Sequence, residues 1–379
     1  MTGGSARLQI ADCRLLSESA NQGVTTADTS RLDGWLQLVV EAGGSDLLLV
    51  AGAPPSLRVE NRVRALPEGV LDGEAVEATV LPALPSHARQ AYDAGAVADA
   101  SYSIGSLGRF RINLHRERGR PAAAIRALPT RVPRLAELRL PPSIEALSRL
   151  PYGLVLIGGP TGSGKSTTLA ALVAEINGRD ARHIVTIEDP IEYLHTHDKS
   201  IVEQVEIGID AVDFPSALRA SLRQAPDVIV IGEMRDPETM RIALAAAETG
   251  HLVLSTIHTT DIASTVSRIA DSFPVERQPT IRQELAMALT AVMTQQLVPR
   301  VGGGLVPGVE LLIVSYGARQ HVRRNALQHF HQEMTMTRRL GSFTLEDSLA
   351  QLVKAGLIDR HEALTRAAHP DELEQLLRA

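Results

Sequence analysis

The chain has 379 residues, 44% of them hydrophobic and 3% aromatic, with a formal net charge of −6 and a single cysteine, Cys13. One cysteine permits neither an intrachain disulfide nor a cysteine-based metal knuckle. An acidic balance with few aromatics lacks the means by which nucleic-acid binders hold phosphates and stack on bases, so no nucleic-acid partner is expected.

The first thirty residues carry Arg7, Asp12, Arg14, Glu18 and Asp28 among small polar residues. They have no apolar segment of a signal peptide, and residues 1–30 read as a variable tail. No window holds the roughly 18 uninterrupted apolar residues of a membrane helix. A cytoplasmic protein is expected. From residue 31 to 130, short apolar runs alternate with turn signals, as in Leu47 to Val50 before Gly52-Ala53-Pro54-Pro55, and Phe110 to Leu114 after Gly108. That pattern predicts a small mixed α/β domain. Prolines 129, 133, 141 and 142 mark residues 131–150 as a linker.

Residues 151–379 change to strands alternating with helices. Leu154 to Ile157, Ile184 to Ile187, Val228 to Ile231 and Leu252 to Ile257 are apolar runs of strand length. Such runs suit a parallel sheet covered on both faces. Asp236-Pro237-Glu238 has the order of an N-cap, a proline at the first helical position and an acidic first turn. The Ala-rich helix that follows is expected to stop at Gly250. The predicted architecture is a RecA-like α/β domain with C-terminal helices.

Gly159-Pro160-Thr161-Gly162-Ser163-Gly164-Lys165-Ser166 fits the phosphate-binding loop pattern, between a predicted strand and a helical stretch from Thr167 to Asn177. Its glycines let backbone N–H groups curl around phosphate oxygens at a helix N-terminus. Lys165 is placed to reach the β- and γ-phosphates of ATP, and the Ser166 hydroxyl to ligate Mg²⁺. Glu233, after the apolar run ending at Ile231, is the candidate for orienting the attacking water. Gly232 occupies the position where a metal-binding aspartate commonly stands, so further carboxylates are sought in Ile187-Glu188-Asp189-Pro190-Ile191-Glu192. Glu188 and Glu192 are the candidates there, at the carboxyl edge of the sheet where ligands bind. His258, after the fourth run, stands to sense the γ-phosphate or transmit its loss. His251 is open to either a structural or a functional reading. The histidines at 195, 197, 321, 329 and 331 lack a metal-ligand spacing and are assigned to solvated faces.

At these residues the chain resembles the type IV pilus retraction ATPases, the PilT and PilU family within the secretion ATPase superfamily. The resemblance runs from about Gly44 to Ile358. It rests on the phosphate loop, on Thr186 to Tyr193, on Ala225-Pro226-Asp227-Val228 through Asp236, on Ala247 to Leu252 and on Ile257 to Asp261. It implies a PAS-like N-terminal domain before the RecA-like one, a homohexameric ring, and an ATP- and Mg²⁺-dependent motor for twitching motility. It also implies an inner-membrane platform protein as partner, peripheral attachment to that membrane through the pilus machinery, and a possible paralogous retraction ATPase. Arg111 in Gly108-Arg109-Phe110-Arg111 and Arg126 in Ala124-Ile125-Arg126 match the family's arginine fingers. Three departures stand out. Ser45-Asp46-Leu47-Leu48 lacks the family's histidine at its last position. Residues Gly317 to Arg324 match only loosely a segment tied to retraction. Leu222 to Asp227 follows the PilU pattern whereas Glu233 to Asp236 and His258-Thr259-Thr260 follow PilT. The alternatives are a PilU-like accessory ATPase, or a pilus assembly or type II secretion ATPase. The last two usually carry an extra N-terminal domain and a four-cysteine zinc module.

Overall fold

The computed structural model describes residues 28–378, apart from 61 and 106. Cys13 and most of the expected N-terminal tail lie outside the described residues. The chain builds two sheets. The first has six strands in the order β3-β2-β1-β6-β5-β4, all neighbours antiparallel. They are β1 (Asp46–Val50), β2 (Ser56–Val59), β3 (Arg62–Ala65), β4 (Ala98–Ile104), β5 (Gly108–Glu117) and β6 (Arg120–Ala127). Helices α1 (Ser30–Glu41), α2 (Gly73–Val80) and α3 (Ser86–Asp93) accompany it. Strands this regular bury alternate residues. On β5, Phe110, Ile112 and Leu114 point into a core shared with Leu32, Trp35 and Leu36 of α1. Arg109, Arg111 and Asn113 therefore share the opposite face.

The second sheet has seven strands in the order β13-β12-β7-β11-β10-β8-β9. They are β7 (Gly153–Gly158), β8 (His183–Glu188), β9 (Ile201–Glu206), β10 (Val228–Ile231), β11 (Leu252–Ile257), β12 (Leu289–Pro299) and β13 (Leu305–Ile313). All pair in parallel except β13, which runs antiparallel to β12 along one edge. The four apolar runs singled out from the sequence are β7, β8, β10 and β11. Successive residues face opposite layers. Leu154, Leu156, Ile229, Ile231 and Val253 belong to one core, and Val155, Ile157, Val228, Val230, Leu252 and Leu254 to the other. Burial on both faces is why these strands show no polar alternation.

The helices of this half are α4 (Lys165–Arg179), α5 (Phe214–Ser221), α6 (Pro237–Glu248), α7 (Ile262–Asp271), α8 (Gln278–Ala288), α9 (Tyr316–Arg323), α10 (Phe330–Met336), α11 (Leu345–Lys354), α12 (Arg360–Arg366) and α13 (Pro370–Arg378). The α6 start follows the sequence reading: the Asp236 side chain accepts from Thr239 N at 2.8 Å, with Pro237 in the first turn. The helix ends at Glu248, and Gly250 follows with a left-handed φ of +108°.

The segment 131–150 is not a free linker. It forms two 3₁₀ turns, Leu135–Leu138 and Pro142–Arg149, whose Leu135, Ile144 and Leu147 are buried in the same core as Leu169, Leu172 and Ile176 of α4. Arg179 at the end of α4 donates to Ser148 Oγ at 2.9 Å and to Ser148 O at 2.6 Å, which fixes that segment against the helix. The prolines set φ and limit helix length, but they did not stop the intervening apolar residues from docking.

Candidate nucleotide site

β7 ends in the loop that leads to α4. Gly159 and Gly164 adopt φ of +151° and +87°. A Cβ on Gly159 would lie 2.4 Å from Gln295 O, and one on Gly164 would lie 2.8 Å from Gln295 Nε2. Backbone conformation and close approach both require glycine there. Lys165 is 6% exposed and folds back, its Nζ donating to Gly159 O at 2.8 Å and Pro160 O at 2.9 Å. Burial lowers its pKa, with Glu233 and Glu192 opposing that shift.

Gln295 on β12 grips the loop from the neighbouring strand. Its Nε2 donates to Ser163 O at 2.7 Å, and its Oε1 accepts from Thr168 Oγ1 at 2.8 Å. Sequence reading passed over this residue. Its signal was a run of polar residues, Thr294-Gln295-Gln296, after the apolar Ala291-Val292-Met293. Thr167 Oγ1 and Tyr193 OH are 2.8 Å apart, tying the first turn of α4 to the loop after β8.

Glu233 lies two residues beyond the end of β10, half-buried. Arg235 makes two contacts to its carboxylate, the longer from Nη2 to Oε2 at 2.9 Å, and His258 Nε2 stands 3.5 Å from Oε2. Burial raises the Glu233 pKa, but Arg235 and then His258 more than offset it, and the net shift is downward. His258 Nδ1 is 3.4 Å from Lys165 Nζ, so its ring bridges the phosphate-loop lysine and the glutamate. Gly232 N donates to Ile187 O at 2.8 Å, and a Cβ at Gly232 would meet that oxygen at 3.3 Å. A side chain there would sit tightly against β8. Arg235 was not anticipated.

Glu188 ends β8, and Thr186 Oγ1 and Gln204 Nε2 donate to its Oε1 at 2.7 and 3.2 Å. Burial raises its pKa against those two hydrogen bonds. Glu192 is exposed. Arg111 and Arg126 are direct cross-strand partners on β5 and β6. Each also meets a carboxylate, Arg111 at 3.5 Å from Asp99 and Arg126 at 2.9 Å from Asp46.

One cavity of about 640 Å³ gathers these groups. Its walls include Thr161 to Thr167, Glu188, Glu192, Glu233, Arg235 and His258 from the parallel sheet, and Arg111 and Arg126 from the antiparallel one. Gly159 and Pro160 stand behind it and contribute the carbonyls that hold Lys165. Arg109 joins the two halves below the cavity, donating to Glu206 Oε2 at 2.6 Å and to Ile191 O at 3.2 Å.

The histidines divide. His251 Nδ1 is 2.9 Å from Ala246 O at the end of α6, outside the cavity walls, which gives it a structural role. The assignment of His195 to a solvated face is corrected: it lines the cavity, and burial pulls its pKa down to about 4. His331 likewise packs against His369, with ring centroids 4.1 Å apart.

The arrangement fits a nucleoside triphosphate. The glycine loop opens onto the cavity, and Ser163 Oγ is buried there without a hydrogen-bond partner. Ser166, Glu188, Glu192 and Glu233 supply only oxygen donors, the set that suits Mg²⁺.

Comparison with known proteins agrees with this geometry. Residues 136–360 match the family described as type II/IV secretion system protein. The type IV pilus retraction ATPase PilT of Pseudomonas aeruginosa is 39% identical over 89% of this chain and 98% of its own length. The type IV pilus ATPase PilU of the same organism is 38% identical over 90% of each. A crystal structure of the pilus retraction motor PilT with bound ADP superposes with a TM-score of 0.81 at 41% identity, covering 90% of this chain and 98% of that one.

Proposed function

The chain belongs to the PilT/PilU family of the secretion ATPase superfamily, and from that premise we propose that it is an ATP-hydrolysing motor subunit that powers type IV pilus retraction. The observation that carries the reading is the cavity walled by a phosphate loop on one sheet and by two arginines on another.

In this reading the N–H groups of residues 161–166 bind the phosphates, and Lys165 leaves the Gly159 and Pro160 carbonyls to meet them. Glu233 orients water and accepts its proton. Its depressed pKa keeps it ionised at neutral pH, ready to act as base. His258, in contact with both Lys165 and Glu233, is where loss of the γ-phosphate would be felt. Arg111 and Arg126 supply positive charge from the other half of the chain. Mg²⁺, when bound with the nucleotide, would neutralise phosphate charge, held by Ser166 with Glu188 and Glu192 close by.

Because the arginines and the phosphate loop sit on different sheets, each turnover can move one sheet against the other. Six subunits in a homohexameric ring would sum such movements and pass them to an inner-membrane platform protein. No helix among the described residues is long and apolar enough to cross a membrane, and in this reading a separate membrane partner receives the motion. In this reading the motor works in the cytoplasm, peripheral to that membrane.

Deleting the gene and imaging surface pili tests the direction of force. Retraction predicts cells with abundant pili and no twitching. Bald cells would identify an assembly motor instead. The near-equal identity to PilT and PilU leaves a PilU-like accessory role as the alternative. That role predicts piliation and movement that change only when a paralogue is also removed.

A further inference from the structure

One cluster of side chains has no task in nucleotide chemistry. His331 on α10, Glu346 on α11, His369 just before α13 and Glu372 in the first turn of α13 each offer a ligand atom, and these four atoms lie within 4.8 Å of one another. None of the four lines the nucleotide cavity. We propose that they form a metal site that takes Zn²⁺ and staples α10, α11 and α13 together.

The donor set is two imidazole nitrogens and two carboxylate oxygens, which fills a tetrahedral zinc shell. Calcium and magnesium favour sites made of oxygen alone. Glu346 is 1% exposed, and a buried carboxylate is costly without a cation. Among the described residues its ion-pair partner is His369 alone, at 3.6 Å, aided by the His369 backbone N–H at 2.8 Å. A divalent ion at this point would supply the charge that no lysine or arginine brings. The two imidazole rings lie side by side, centroids 4.1 Å apart and tilted by 39°, where two protonated rings would repel. His331 Nε2 and Glu372 Oε2 are 2.7 Å apart, so a proton sits between them and zinc binding would displace it.

The four ligands come from α10, α11 and the start of α13 with the residue before it, and converge only in the folded chain, so the ion would bind the native state and stabilise it. α11 in turn rests on the outer strand of the parallel sheet, Val309 N donating to Ser348 Oγ at 3.2 Å.

The test uses the untagged full-length chain, stripped with EDTA and free of nucleotide. Titration with zinc chloride in a calorimeter should give one ion per chain and raise the thermal midpoint, reversibly with EDTA. Cobalt chloride should give the visible absorption of a tetrahedral centre. His369→Ala removes a ring that is 52% exposed but also the ion-pair partner of Glu346, so its own metal-free midpoint is measured and the zinc-induced rise is read against that value. This variant and His331→Gln should each weaken zinc at least about 100-fold, since even outer-shell partners of metal ligands account for about 10–100-fold. Lys165→Ala should leave zinc binding at wild-type strength. Absence of both heat and cobalt spectrum, zinc binding that ignores His369→Ala and His331→Gln, or loss of binding in Lys165→Ala would each overturn the site.

Discussion

Gln295 offers the sharpest test of how the phosphate loop is held. Replacing it by leucine keeps most of the volume but removes both amide atoms. Ser163 O would lose its donor at 2.7 Å and Thr168 Oγ1 its acceptor at 2.8 Å, in a spot where Gln295 is only 5% exposed. Each stranded buried group costs about 1–3 kcal/mol, giving about 2–6 kcal/mol together, an upper range because the loop can relax. If only about 1.4 kcal/mol of this falls on the loop's readiness to bind phosphate, ATP affinity drops about tenfold. Calorimetric or fluorescence titration with a non-hydrolysable ATP analogue reads that drop, and thermal melting reads the global cost. Thr168→Val should cost less, and the double variant should cost less than the sum, since the two side chains share one hydrogen bond. Gln295→Leu binding nucleotide within about twofold of wild type, with an unchanged melting midpoint, would refute the reasoning.

Glu233→Gln should retain nucleotide binding but lose about 10²–10⁴ of the hydrolysis rate, measured by phosphate release, as expected of a general base. Lys165→Ala should instead weaken ATP binding itself, read in the same titration, because it removes the charge-assisted contact to phosphate. Arg111→Ala and Arg126→Ala should lower turnover while sparing affinity; wild-type specific activity should also rise with protein concentration as subunits assemble. His195, depressed to about 4 in the fold against an ordinary value near 6.5, stays neutral while the unfolded chain takes up a proton. Its contribution to stability is therefore present above pH 6.5 and lost as pH falls towards 4, by at most about 3 kcal/mol. A His195→Gln variant should melt with a flatter pH profile over that window.

Local signals were legible because local physics decides them. The runs at 154–157, 184–187, 228–231 and 252–257 are mostly apolar, broken only by Thr186, Ser255 and Thr256, and short, as strands buried on both faces are, and each became an inner strand. Asp236-Pro237 marks a helix start by side-chain capping and fixed φ, and α6 begins there. Strands β9, β12 and β13 escaped because they carry polar residues. Ile201 to Glu206 sits at an edge with Glu203 facing solvent, and β12 contains Thr294-Gln295-Gln296, of which Gln295 holds the phosphate loop and Thr294 donates to Glu310.

What could not be read from sequence are contacts whose partners lie far apart in the chain. Gln295 and Ser163 are 132 residues apart, and Arg109 and Glu206 are 97 apart. Arg109 and Arg111 look alike in sequence, two positions apart on one face of β5, yet their environments divide them. Arg109 meets a carboxylate with 4% side-chain exposure, whereas Arg111 stays 43% exposed on the cavity wall. A buried, well-formed pair resists rearrangement, because removing either partner strands a desolvated charge. An exposed pair is held weakly and can exchange its carboxylate for a phosphate. The same strand thus carries one arginine suited to fixing the two halves and one free to answer the ligand. That distinction exists only once β5 is laid against Glu206 and the loop at Ile191.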